Sequence, residues 1–124
     1  MTTIALILAA FLAWFVGTAH SWLGERRLLG PLLAERAGML GRSKFAARTL
    51  RGAWHLTTLA WWGLGATLAT VALAPPASQV HGALVAMAIT FLVTGAVIAI
   101  SSRGRHFAWP IFVAIAGLSL APLL

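Results

Sequence analysis

Three histidines, His20, His55 and His106, each stand within three residues of a tryptophan: Trp22, Trp54 and Trp109 respectively. Each pair lies where an apolar run meets a basic one. Imidazole suits zinc, iron, copper or nickel, and two facing imidazoles can ligate a haem iron. Glu25, about one turn beyond His20, offers a carboxylate to the same set. Ser21, Thr57, Thr58, Ser101 and Ser102 are the hydroxyls near enough in sequence to orient such ligands. Cysteine is absent, which removes thiolate metal sites, disulfide relays and cysteine nucleophiles together. Met1, Met39 and Met87 leave only thioethers as sulfur ligands.

The same positions serve a second chemistry. Arg51, Arg103 and Arg105 flank His55 and His106, and histidine titrates near neutral pH. A quinone headgroup, a lipid phosphate or a transported anion fits among these groups, with Trp54, Trp22 and Trp109 as apolar walls. A third account needs no ligand, because histidine and tryptophan both favour the boundary between membrane and water as anchors. The sequence leaves these readings open. His81 opens a different apolar run at the opposite end, where anchoring suffices.

These residues are positioned by a chain of 124 residues that is 60% hydrophobic and 9% charged, far below the quarter charged that is usual in soluble domains. An integral membrane protein is expected. Four apolar spans are read at about 3–23, 53–74, 80–100 and 107–124, in one transmembrane domain with a polar loop at 24–49. Within that loop Gly30-Pro31 can start a short amphipathic helix carrying Leu32, Leu33, Met39 and Leu40. Ser43 is placed to cap a helix that runs through Phe45, Arg48 and Arg51 straight into the second span. Pro75-Pro76 stops that span. Small residues at four-residue spacing, Ala9, Ala13 and Gly17 in the first span and Gly82, Ala86, Thr90 and Thr94 in the third, predict close helix packing. Trp14, Trp61 and Trp62 lie deeper than an interface and are expected to fill the core beside Gly63 and Gly65.

All nine Lys and Arg residues fall in two loops on one side of an up-down-up-down four-helix bundle. The positive-inside rule makes that side the cytoplasm and puts both termini outside it. His20, His55 and His106 then share the cytoplasmic depth, which is what makes a metal or haem site the leading expectation. A net charge of +7 would point to nucleic acid in a soluble protein, but no basic patch with stacking aromatics forms a separate domain here, so nucleic acid is not expected as a partner. No charge lies between residues 52 and 102, which argues against intramembrane carboxylate exporters and proton-relay pumps. Nucleophile-elbow, phosphate-loop and His-Glu-x-x-His patterns are absent, so no enzyme class is indicated.

The combination His20-Ser-x-Leu-Gly-Glu25, Leu50-Arg-x-Ala-Trp-His55-Leu-Thr and Ser102-Arg-Gly-Arg-His106-x-Ala-Trp-Pro110 resembles a group of small bacterial four-helix membrane proteins of unassigned function. The resemblance covers most of the chain. It implies the fold and a bacterial inner-membrane location, and no activity. The alternatives to a metal or haem protein are a structural or accessory subunit that packs on itself or a partner, and a small transporter or quinone- or anion-binding protein.

Overall fold

The computed structural model describes residues 2–34 and 43–123, and in these it is helical, without strands. Helix α1 (Thr2–Gly24) passes through a π-helical turn (Glu25–Leu29) into a short α2 (Gly30–Ala34), followed by α3 (Lys44–Leu73), α4 (Gln79–Ser102) and α5 (Ala108–Leu120). Three of these helical stretches are long and apolar enough to cross a membrane; the last, Ala108–Leu123, is shorter. At about 1.5 Å per residue its sixteen residues reach about 24 Å, against a hydrocarbon core of about 30 Å.

The described residues of the first polar loop, 24–34 and 44–49, are helical. The Gly30-Pro31 pair opens the short α2, as its residues imply, and α2 runs on from α1 through the wider π turn instead of standing apart from it. Gly30 N–H reaches back to the Glu25 carbonyl, and a Cβ on Gly30 would lie 2.8 Å from that oxygen, so the turn needs glycine there. Met39 and Leu40, assigned to the same amphipathic segment, lie outside the described residues, as does Met1. Ser43 caps α3 as its position implied, its side chain accepting from the Ala46 N–H at 3.2 Å. From there thirty residues run unbroken to Leu73, just before Pro75-Pro76.

The helices pack chiefly in chain order, α1 on α3, α3 on α4 and α4 on α5. Among the described residues α1 and α5 meet only marginally, so the arrangement is an open row more than a closed bundle. Contacts on α1 run backward along α3: Gly65 abuts Ala10 and Trp14, Gly17 meets Trp62 and Thr58, and Gly24 meets Trp54. The α1 residues of that seam, 10, 14, 17, 21 and 24, alternate four and three apart, as interlocking helices require. Gly17 belongs to it; Ala9 and Ala13, expected on the packing face, lie beside it half-buried. On α4, Gly82 faces Thr70, and Thr90 fills the space left by Gly63, while Gly95 admits Phe112 and Val113 of α5.

Little apolar surface is hidden. Leu29 is the large side chain that is fully buried, whereas Phe11, Phe15 and Ile100 are 62%, 64% and 79% exposed. Such a surface in water would be a severe aggregation hazard, and in hydrocarbon it costs nothing. Trp14 and Trp62 also depart from the core-filling role. They lie partly exposed across the α1–α3 seam, each indole N–H donating to the other residue's carbonyl, at 3.0 and 3.2 Å.

Candidate functional site

The two sequences His20-Ser21-x-x-Gly24-Glu25 and Arg51-x-x-Trp54-His55-x-Thr57-Thr58 are each other's partners. They lie at the same end of α1 and α3 and form a polar clasp at the edge of the apolar region. On α1, residues 20, 21, 24 and 25 fall on one side because three- and four-residue steps return to the same helical face; 51, 54, 55 and 58 do so on α3.

Glu25 is the hub. Its Oε1 accepts from the Arg51 guanidinium at 2.8 Å, and its Oε2 lies 3.4 Å from His55 Nε2. Both charged groups are more than a third exposed, so the pair adds at most about 1 kcal/mol and acts mainly to orient. The Nδ1 of His55 lies 2.8 Å from Ser21 Oγ, which lies 2.7 Å from the hydroxyl of buried Thr58. With neutral His55 one arrangement satisfies every atom. Thr58 donates to Ser21, Ser21 donates to Nδ1, and Nε2–H donates to Glu25. Protonating His55 reverses the inner half, since Nδ1–H must then donate to Ser21.

His20 belongs to the neighbouring half of the clasp. Its ring stacks flat on Trp54, centroids 4.3 Å apart and planes within 6°, and is tilted against Trp61 at 4.9 Å. Trp54 Nε1–H donates to the His20 carbonyl at 3.1 Å. The Thr57 hydroxyl spends its proton on the Trp54 carbonyl, so it accepts from His20 Nε2–H at 3.1 Å. Neutral His20 therefore carries its proton on Nε2 and keeps an Nδ1 lone pair. Beside this ring is an open hollow of about 340 Å³, walled by Trp54, Trp61, Val16, Ala19 and Leu23. Gly24 lines it as well, and the approach of Trp54 depends on the missing side chain there, since a Cβ would fall 2.1 Å from the indole nitrogen.

The other site residues named from the sequence stand elsewhere. His106 is exposed and serves its own turn: its Nδ1 accepts from the Ala108 N–H at 3.2 Å, and its ring stacks on Phe107. Its expected convergence with His20 and His55 is not what the packing produces, because α5 packs on α4 and not on α1. Among the described residues no group of three or more His, Asp or Glu side chains is placed to hold a metal ion. Trp22 faces outward beneath Arg26, and Trp109 donates to the Gly104 carbonyl, so of the three tryptophans only Trp54 joins the histidines. Arg51 is committed to Glu25, whereas Arg103 and Arg105 are exposed in the turn after α4, Arg103 with a left-handed φ of 53°. Ser21, Thr57 and Thr58 were legible as hydroxyl partners of the histidines. Trp61 and Gly24 were missed; the signal for Gly24 was its place four residues after His20, seven after Gly17.

Comparison with family models, with curated proteins and with solved structures finds no match.

Proposed function

We propose that this chain is a multi-pass protein of the bacterial inner membrane, its helices running up, down, up and down. The clasp then lies at the cytoplasmic boundary, and there it binds a ligand of the quinone class, a flat polar head on an apolar tail. The observation that carries this reading is the His20 imidazole, held flat on Trp54 at the side of an otherwise apolar hollow. An aromatic wall accepts a planar head, the free Nδ1 lone pair of His20 accepts from a hydroxyl of the reduced, quinol form, and the surrounding bilayer accommodates the tail. The volume is at the lower end of small-molecule sites, which run from about 300 to 1,000 Å³. The separate line from Thr58 through Ser21 and His55 to Glu25 holds α1 and α3 together beside the hollow.

The test is titration of the detergent-solubilised protein with a reduced, short-tailed ubiquinol analogue, followed by quenching of tryptophan fluorescence. Saturable quenching that is lost in His20→Ala and kept in His106→Ala is the expected result. Linear quenching, unchanged in His20→Ala, is partition into the micelle and overturns the reading.

A second reading is favoured by the absence, among the described residues, of any buried side-chain polar atom without a partner. In it the clasp only locks α1 to α3 in register, and the outer faces of the row receive a second copy or a partner subunit. Changes at His20 or His55 then lower stability without altering any ligand titration. A transition metal or haem held by His20, His55, His106 and Glu25 has less support from this geometry, since His106 is occupied in its own turn.

A further inference from the structure

We infer that Trp22, Arg26 and Arg27 form a docking site for the phosphate of an anionic phospholipid, on the face of α1 opposite the clasp. In a regular helix the seam residue after Gly24 would be residue 28. The π turn inserts one residue, so Leu29 takes the buried seam position and Arg26, Arg27 and Leu28 are all exposed in succession. The local widening thus leaves Leu28 on the outer surface directly after the two arginines. Arg26 lies over the Trp22 ring, its Cζ 5.3 Å from the centroid, with Trp22 58% exposed. Resting on an aromatic face leaves the N–H edge of a guanidinium available for oxyanions.

The surroundings select a lipid over a soluble polyanion. Leu28, directly after the arginines, is exposed as well, and an apolar flank is useful to a ligand that carries acyl chains. Tryptophan and arginine at the level of the headgroups complete the match. The structure also separates these arginines from Arg51, whose guanidinium is already on Glu25. The inference rests on the chain lying in a membrane, and not on the quinone reading.

The experiment is native mass spectrometry of the protein released from nanodiscs of phosphatidylglycerol mixed with phosphatidylcholine, counting retained lipids. The double variant Arg26→Gln/Arg27→Gln is compared with the charge-matched Arg103→Gln/Arg105→Gln. The wild type and the second variant should retain phosphatidylglycerol over phosphatidylcholine, and the first should bind it roughly thirtyfold more weakly, about fivefold for each charge removed. Trp22→Leu, which keeps every charge, should weaken retention as well. Equal losses in both double variants show diffuse attraction and overturn the site, as does unchanged retention in the first. Release of the chain from membranes by alkaline carbonate overturns the membrane reading and this site together, and is a separate observation from lipid selectivity.

Discussion

Gly24→Ala is the sharpest test of the clasp, because one methyl group is set against one indole. An ideal Cβ at residue 24 lies 2.1, 2.4 and 2.7 Å from Nε1, Cε2 and Cζ2 of Trp54. No rotation about a flexible tail relieves this, since three atoms of a rigid ring are involved, so Trp54 must withdraw. Withdrawal breaks the 3.1 Å bond to the His20 carbonyl and the stack on the imidazole. Overpacking of this kind costs about 1–3 kcal/mol, and the lost hydrogen bond about 1 kcal/mol. Against this, alanine gains about 1 kcal/mol over glycine in a helix interior. The expected net is a loss of about 1–3 kcal/mol. Gly52→Ala is the control: it lies on α3 with nothing within 4 Å of its Cβ position, so it should gain about 0.5–1 kcal/mol. The assay is reversible unfolding in mixed micelles, with near-ultraviolet circular dichroism to follow the tryptophans. If Gly24→Ala is as stable as Gly52→Ala, the packing of Trp54 on α1 is wrong, and the hollow beside His20 is wrong with it.

Further outcomes follow from other contacts. Gly63→Ala places a Cβ 2.3 Å from both Thr90 Oγ1 and Cγ2, and should loosen α3 from α4 by about 1–3 kcal/mol in the same unfolding assay. Ser21→Ala leaves the buried Thr58 hydroxyl without its partner and should cost about 1–3 kcal/mol; Ser21→Ala with Thr58→Val should cost less than the sum of the two single changes. Arg103→Gly relieves a left-handed residue at the end of α4 and should raise stability by about 1 kcal/mol, measured by thermal unfolding. Metal analysis and a visible spectrum of the purified protein, repeated on His106→Ala, test the ligand set His20, His55, His106 and Glu25; a bound metal or a Soret band lost in His106→Ala would mean that α5 approaches α1 in solution, against the packing described.

Signals confined to a few neighbouring residues were legible in the sequence. Ser43 and the uninterrupted run from Phe45 to Leu73 needed only capping and hydropathy to be read, and Pro75-Pro76 only the loss of two backbone donors. The Gly30-Pro31 pair marked the start of the short α2, whereas its continuity with α1 was not legible because it depends on the widened turn before it. His106 was misplaced for a different reason. Equal depth in a membrane fixes one coordinate of a residue and leaves its lateral neighbours open; these depend on which helices pack, and the row α1, α3, α4, α5 separates the first from the last. Trp14 and Trp62 carry long-range information of the same kind, since neither indole could be assigned a partner before the register of α1 on α3 was known.

That register also explains why the clasp holds both histidines at this edge and none deeper. Contacts between α1 and α3 pair residues whose numbers sum to nearly the same value, so each α1 position has a fixed counterpart. Towards the middle the counterparts are Trp14 with Trp62, whose polar atoms are satisfied by two carbonyls, and Gly17 with Thr58 and Trp62. Nearer the edge the pairing brings in groups that can change protonation, His20 opposite Thr57, His55 opposite Ser21, and Glu25 opposite Arg51 and His55. His55 stands 3.4 Å from that carboxylate, one helix away, with its side chain 42% exposed. The order of residues along α1 and α3 therefore gathers the polar pairs at one end of the seam and leaves the tryptophan and glycine pairs to the middle.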